Sequence, residues 1–151
     1  MRTSDNLLVV QPDERQHFGD IARLVEAGET NGRWGAVIVH AERGTSGMTH
    51  LHRGEPEAFF ILEGDLEVCG AESVTPIGPG SFVLVPPDTE HTLHVLSEEA
   101  SWLAIWPSAL DGLPEEIERA RTEGRGDPET LMEIRRRHGT ESGRRLPDQA
   151  P

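Results

Sequence analysis

Residues 49–64, THLHRGEPEAFFILEG, carry His50 and His52 one residue apart, Glu57 five positions after His52, and an apolar run that ends at Gly64. On a β-strand, residues two apart point to the same face, so His50 and His52 project together while Leu51 points away. If the strand resumes after Pro56, Glu57, Phe59 and Ile61 share one face and Phe60 and Leu62 the other. Glu57 then lies beside the two imidazoles, with Phe59 and Ile61 as an apolar wall next to it. Three ligands of this kind leave coordination positions open, which suits a catalytic metal site better than a closed structural one. A fourth ligand has to come from a strand distant in sequence. The candidate is His91 in GSFVLVPPDTEHTLH (residues 80–94), where a glycine, an apolar strand and a double-proline turn precede a histidine that opens the next strand.

Working outward, residues 30–107 read as short apolar runs separated by turn residues: RWGAVIVHAE, AFFILEG, DLEVCG, SFVLVPP, HTLHVL and WLAIW. Strands of this length and spacing predict an all-β sandwich or barrel. After Pro107 the periodicity becomes helical. Leu113, Ile117 and Ala120 follow helix spacing, with Glu115 and Glu116 in the first turn, where the helix dipole favours acids. A second helix has Asp127 as N-cap, Pro128 at its first position, Leu131, Ile134 and His138 on one face, and Gly139 as its stop. The expected organisation is an N-terminal arm (1–29), a β-barrel domain (30–107), a helical extension packed outside the barrel (108–139) and a flexible tail (140–151). HFGDIARLVEA, residues 17–27, fits a short helix and extended structure equally.

Two motifs carry a family resemblance. Gly44, His50, His52, Glu57 and Gly64 match the spacing of cupin motif one, and Gly80, Pro86 and His91 match motif two, in which Asp88 replaces a glycine and Val95 an asparagine. Asp still suits a tight turn, and Val95 affects at most a contact behind the ligands. The flanks, ETNGRWGAV before motif one and the WPSALDGLPEEIE to GDPETLMEIRRRHGTE tail, also resemble small bacterial monocupins. The resemblance implies a double-stranded β-helix, or jelly roll, with His50, His52, Glu57 and His91 holding one divalent transition metal (Fe, Mn, Ni, Cu or Zn). It is similar to quercetinase-like monocupins and to cupin cyclases of polyketide pathways. That implies a small-molecule substrate, a hydroxylated aromatic or enolic compound bound through oxygen, with dioxygenase or cyclase/isomerase chemistry and Glu57 as general base. A non-catalytic, metal-assisted binder is the alternative, and a metal-free cupin that keeps the cluster as hydrogen-bonded filler is a third.

Composition narrows the choices. A formal charge of −13 at pH 7, with no basic stripe interleaved with aromatics, disfavours nucleic acid. No apolar run approaches a membrane span, and a soluble cytoplasmic protein is expected. Cys69 is the only cysteine, so a disulfide within the chain and a cysteine-based zinc cluster are excluded. All 14 basic residues are arginine and tyrosine is absent, which excludes Schiff-base lysine and tyrosine acid/base chemistry.

The histidines, carboxylates and aromatics outside these motifs have plainer readings. His94 lies on the opposite face from His91, His40 ends a strand, and His17 and His138 read as surface. Cys69 reads as core, Glu55 as a turn residue and Glu63 as a solvated strand end. Phe59 is assigned to the substrate pocket by its parity with Glu57, whereas Trp34, Trp102, Trp106 and Phe82 read as core aromatics. Phe60 and Leu62, facing away from the metal, need a cover. Helices or a second subunit would supply it, and a homodimer is the expectation.

Overall fold

Alternating apolar and polar residues make strands through the middle of the chain, and short turns connect them, several crossing from one sheet to the other. A computed structural model describes residues 1–143. The strands are β1 (His17–Phe18), β2 (Ile21–Val25), β3 (Gly35–Glu42), β4 (His50–His52), β5 (Glu57–Glu63), β6 (Leu66–Gly70), β7 (Val74–Ile77), β8 (Phe82–Val85), β9 (His91–Val95), β10 (Glu99–Trp106) and β11 (Thr140–Ser142). They form a six-stranded sheet, β1-β2-β3-β10-β5-β8, and a five-stranded sheet, β11-β4-β9-β6-β7, with every pairing antiparallel. From β3 to β6 consecutive strands alternate between the sheets, which is jelly-roll connectivity. The fold is the expected all-β double-stranded β-helix with C-terminal helices.

The inward faces of the sheets supply the core: Val37, Phe59, Ile61, Leu66, Val85, Val95, Trp102 and Ala104 pack together. Val95, at the departure from motif two, is a core residue at 1% exposure. Gly64, between β5 and β6, has φ 84°, and a Cβ there would lie 2.3 Å from the Glu99 carbonyl oxygen, so no other residue fits this turn.

The helices α1 (Leu113–Thr122) and α2 (Pro128–Arg137) have the expected signals. Asp127 accepts a hydrogen bond from the Thr130 amide, Pro128 opens α2, and Gly139 follows at φ 73°. Leu110, Leu113, Ala120, Leu131 and Ile134 form a second apolar cluster, joined to the barrel through Trp106. A forked ion pair from Arg23 on β2 to Glu115 on α1 fixes the helices across the sheet, with Arg23 Nη2 donating to Glu115 Oε2 at 2.8 Å.

Two expectations on organisation change. The region expected as an N-terminal arm contributes two strands, His17–Phe18 and Ile21–Val25, to the six-stranded sheet, so of the two readings of residues 17–27 the extended one holds, with β2 pairing along the edge of β3. Residues 140–142 are not a flexible tail: Thr140–Ser142 pairs with β4 in full register, Thr140 opposite His52 and Ser142 opposite His50. The rest of the tail expectation, from residue 144, lies outside the described residues. The helices sit outside the barrel, as expected, and side chains from both line part of the central cavity. Among the described residues, no helix is long and apolar enough to cross a membrane.

Candidate metal centre

The site arises from strand parity and one cross-strand pairing. His50 and His52 lie on the same face of β4, and His50 pairs directly with His91 at the start of β9. Glu57 opens β5 in the facing sheet. Candidate ligand atoms of all four residues lie within 4.8 Å of one another. The backbone holds them closely: the turn Pro86-Pro87-Asp88 ends with Asp88 at φ 58°, a left-handed conformation that Asp tolerates, and its amide donates to the His52 carbonyl at 2.9 Å.

The outer nitrogens of the three imidazoles are all engaged. His50 Nδ1 donates to the Met48 carbonyl at 2.6 Å and His91 Nδ1 to the Thr89 carbonyl at 2.9 Å. His52 Nδ1 lies 3.1 Å from Thr140 Oγ1. A carbonyl only accepts, so His50 and His91 carry their proton on Nδ1 and turn Nε2 inward; partners of this kind orient metal-bound histidines.

The Glu57 carboxylate is where the inward nitrogens converge. Its Oε2 is 2.9 Å from His52 Nε2 and 3.0 Å from His91 Nε2. Two lone-pair donors so close repel unless a proton or a cation lies between them. Donors bound at roughly 2.1 Å, at right angles around one metal ion, are about 3 Å apart, so the donor set fits a divalent transition metal. His52, Glu57 and His91 are 5%, 5% and 3% exposed, leaving His50 as the most exposed of the four candidate ligands.

The electrostatics agree with that fit. Burial, and then the neighbouring His91, push the His50 pKa down to about 4, which keeps it a neutral lone-pair donor at neutral pH. Burial is the largest influence on Glu57 and raises it, but His52 and His91 together outweigh burial and hold it at about 2. For His91, burial lowers the pKa, and the Glu57 carboxylate together with the Thr89 carbonyl more than reverses this, so the net shift is upward.

A cavity of about 680 Å³ opens onto this cluster. Phe59, Trp102, Trp106, Val39 and Ile21 line it from the six-stranded sheet, and Ile117 from α1. Phe59 stands on its wall, with its ring centroid 6.0 Å from that of His91. Ile61, expected beside it, is absent from the wall. It is fully buried in the core, one inward position further from the site. Trp102 and Trp106 belong to the cavity as well as to the packing around it. Trp34 and Phe82 are not core: they are 43% and 65% exposed.

The other polar side chains fall into place around this centre. His94 is partly exposed on the other face of β9, Cys69 is buried, and Glu63 is exposed. His138 is more than surface, since it bridges the Ala109 carbonyl and the Glu116 carboxylate. Glu55 caps the turn Ser108–Leu110, accepting from the Ser108 and Ala109 amides. Thr140 is the site residue that no sequence signal announces. A threonine eighty-eight positions from His52 has no motif, and only the pairing of β11 with β4 brings it there.

Comparison with known proteins agrees with this architecture. Residues 37–106 match the family model described as the cupin domain. No match to a curated protein sequence was found. Among solved structures, a predicted oxalate decarboxylase from Thermotoga maritima superposes with TM-score 0.59 at 19% identity, over 65% of this chain and 96% of its own. An uncharacterized conserved protein with a double-stranded β-helix domain from Klebsiella pneumoniae gives 0.57 at 19%, over 72% and 91%. The polyketide cyclase RemF from Streptomyces resistomycificus gives 0.58 at 14%, over 68% and 80%. At these identities the likeness concerns the fold. The stretch matched by the cupin-domain model, residues 37–106, contains all four candidate ligands, His50, His52, Glu57 and His91.

Proposed function

We propose that the protein is a metal-dependent enzyme acting on a small hydroxylated aromatic or enolic molecule, by dioxygenase or cyclase/isomerase chemistry. The observation that carries this reading is the cavity itself: an aromatic-walled space of about 680 Å³ whose floor is the buried cluster of His50, His52, Glu57 and His91. Occurrence of the fold in a polyketide cyclase adds support by analogy. A divalent metal held by these four residues supplies Lewis acidity toward a substrate oxygen and, if it is redox-active, electron exchange with oxygen.

The chain's own groups do the rest. Phe59, Trp102 and Trp106 bind the flat face of the substrate and exclude water, which strengthens every charge interaction on the cavity floor. Glu57 takes the substrate's proton. While it contacts His52 and His91 it is a weak base, held at about 2, but burial is its largest influence and acts in the opposite sense. Rotated away from the two imidazoles into the apolar cavity, the same carboxylate gains proton affinity, as a general base requires. His50, kept neutral by burial, would offer a lone pair to the metal throughout.

The test is turnover by protein loaded in turn with iron, manganese, nickel, copper or zinc, against a panel of catechols, flavonols and β-diketones. Oxygen uptake and product mass are followed together. Metal-dependent product formation is expected with at least one pair, falling about a hundredfold or more in Glu57→Gln. Tight binding without product, for every metal, would overturn the enzyme reading and leave a metal-assisted binder.

A further inference from the structure

The mouth of the cavity holds an unneutralised positive pair in a strongly acidic chain. Arg121 on α1 and Arg135 on α2 both line the cavity whose floor is the ligand cluster. Several other arginines are paired with acidic neighbours: Arg23 with Glu115, Arg53 with Glu141, Arg137 with Glu116. Among the described residues, neither Arg121 nor Arg135 has an ion-pair partner, although Asp20 and Glu118 lie on the same cavity wall.

Arg135 is half-buried, and its pKa is lowered by burial first and by Arg121 second. Two guanidinium groups lining one cavity, Arg135 partly desolvated and Arg121 exposed, repel each other, and an anion that reaches both relieves that repulsion. With 27 acidic residues against 14 basic ones, the chain has ample carboxylates to neutralise such a pair, and none of those described does so here. The guanidinium fork matches a planar carboxylate in shape and charge. A dianionic phosphate would bring a second negative charge up to Asp20 and Glu118, so the monoanion is favoured.

We propose that Arg121 and Arg135 form a carboxylate-binding end of the cavity, and that the substrate carries a carboxylate at one end and its reacting hydroxyl or enol at the other. This rests on the enzyme reading for the hydroxyl end only; the arginine end stands on its own residues. It also gives the two helices a role in specificity, since they orient the substrate from the mouth while the barrel supplies the reactive floor.

The probes are catechols bearing an alkyl chain of roughly two to five methylenes that ends in a carboxylate, each compared with its own methyl ester. They are titrated into zinc-loaded protein by quenching of tryptophan fluorescence. At one chain length or more, the acid binds roughly ten- to a hundredfold more tightly than its ester. That preference shrinks as sodium chloride is raised about tenfold. It disappears in the double variant Arg121→Gln with Arg135→Gln, while ester affinity is unchanged. Should the double variant misfold, Arg121→Gln alone, at an exposed position, removes part of the preference. Equal affinity of acid and ester at every length, or a preference that survives in the folded double variant, would overturn the proposal. Esters that bind without any acid preference would leave the hydroxyl reading standing and remove the arginine end. Acids that bind through the arginines while no ester binds would do the reverse.

Discussion

At the scale of single residues, the centre depends on side chains that never reach its middle. His52 is aimed inward because Thr140 Oγ1 engages its Nδ1. Replacing that hydroxyl by a methyl group keeps the volume and removes the hydrogen bond. Thr140→Val is therefore expected to weaken metal binding by about 10- to 100-fold while the barrel stays folded, as measured by competition with a chromophoric chelator. Unchanged affinity would mean that strand pairing alone orients His52. The four candidate ligands are legible in the sequence because strand parity is a local rule: His50 and His52 have to share a face, and the spacing to Glu57 and His91 matches known motifs. Thr140 is not legible, because its place depends on β11 docking after two helices. Ile61 falls outside the cavity wall for a related reason. Parity gives the face of a strand but not how far along it a cavity extends.

At the scale of elements, the helices are fastened to the barrel by a few polar contacts around a small apolar cluster. The Arg23 to Glu115 pair is the central one. Its hydrogen bond to Arg23 is the largest influence on Glu115 and lowers the carboxylate's pKa below its ordinary value of 4.5. A carboxylate with a depressed folded pKa binds fewer protons folded than unfolded. Its contribution is thus fully present above about 4.5 and is lost as the pH falls through the lower folded value. Glu115→Gln should lower stability near neutral pH and flatten the acid limb of the melting curve below about 4.5; parallel curves for variant and parent across that range would contradict the assignment. Strong strands and both helices can be read from periodicity and caps. The two-residue β1 and three-residue β11 cannot, since so few residues carry no alternation. The cavity-facing side of α1 and α2 is equally hidden, because a helix's own sequence does not give its docking angle.

At the scale of the whole molecule, one face remains apolar and open. Phe60 and Leu62 on β5 and Phe82 and Leu84 on β8 are exposed on the outside of the six-stranded sheet, with Phe60 directly opposite Phe82. Beyond β8 that sheet has no further strand among the described residues. Neither helix packs there. A face of this kind on an edge strand predicts association, and a second copy of the chain is the proposed cover. Light scattering should give twice the chain mass, and Phe82→Asp with Leu84→Asp should give the monomer. A monomeric parent at micromolar concentration would rule the dimer out.

The central claim is that His50, His52, Glu57 and His91 together hold one divalent metal. Elemental analysis of gently purified protein, parent beside the double variant His50→Ala with His91→Ala, tests it most directly. About one transition-metal ion per chain is expected in the parent and almost none in the variant, whose far-ultraviolet circular dichroism still reports a folded barrel. Metal well below one per chain in the parent, or full occupancy in the folded variant, would contradict it.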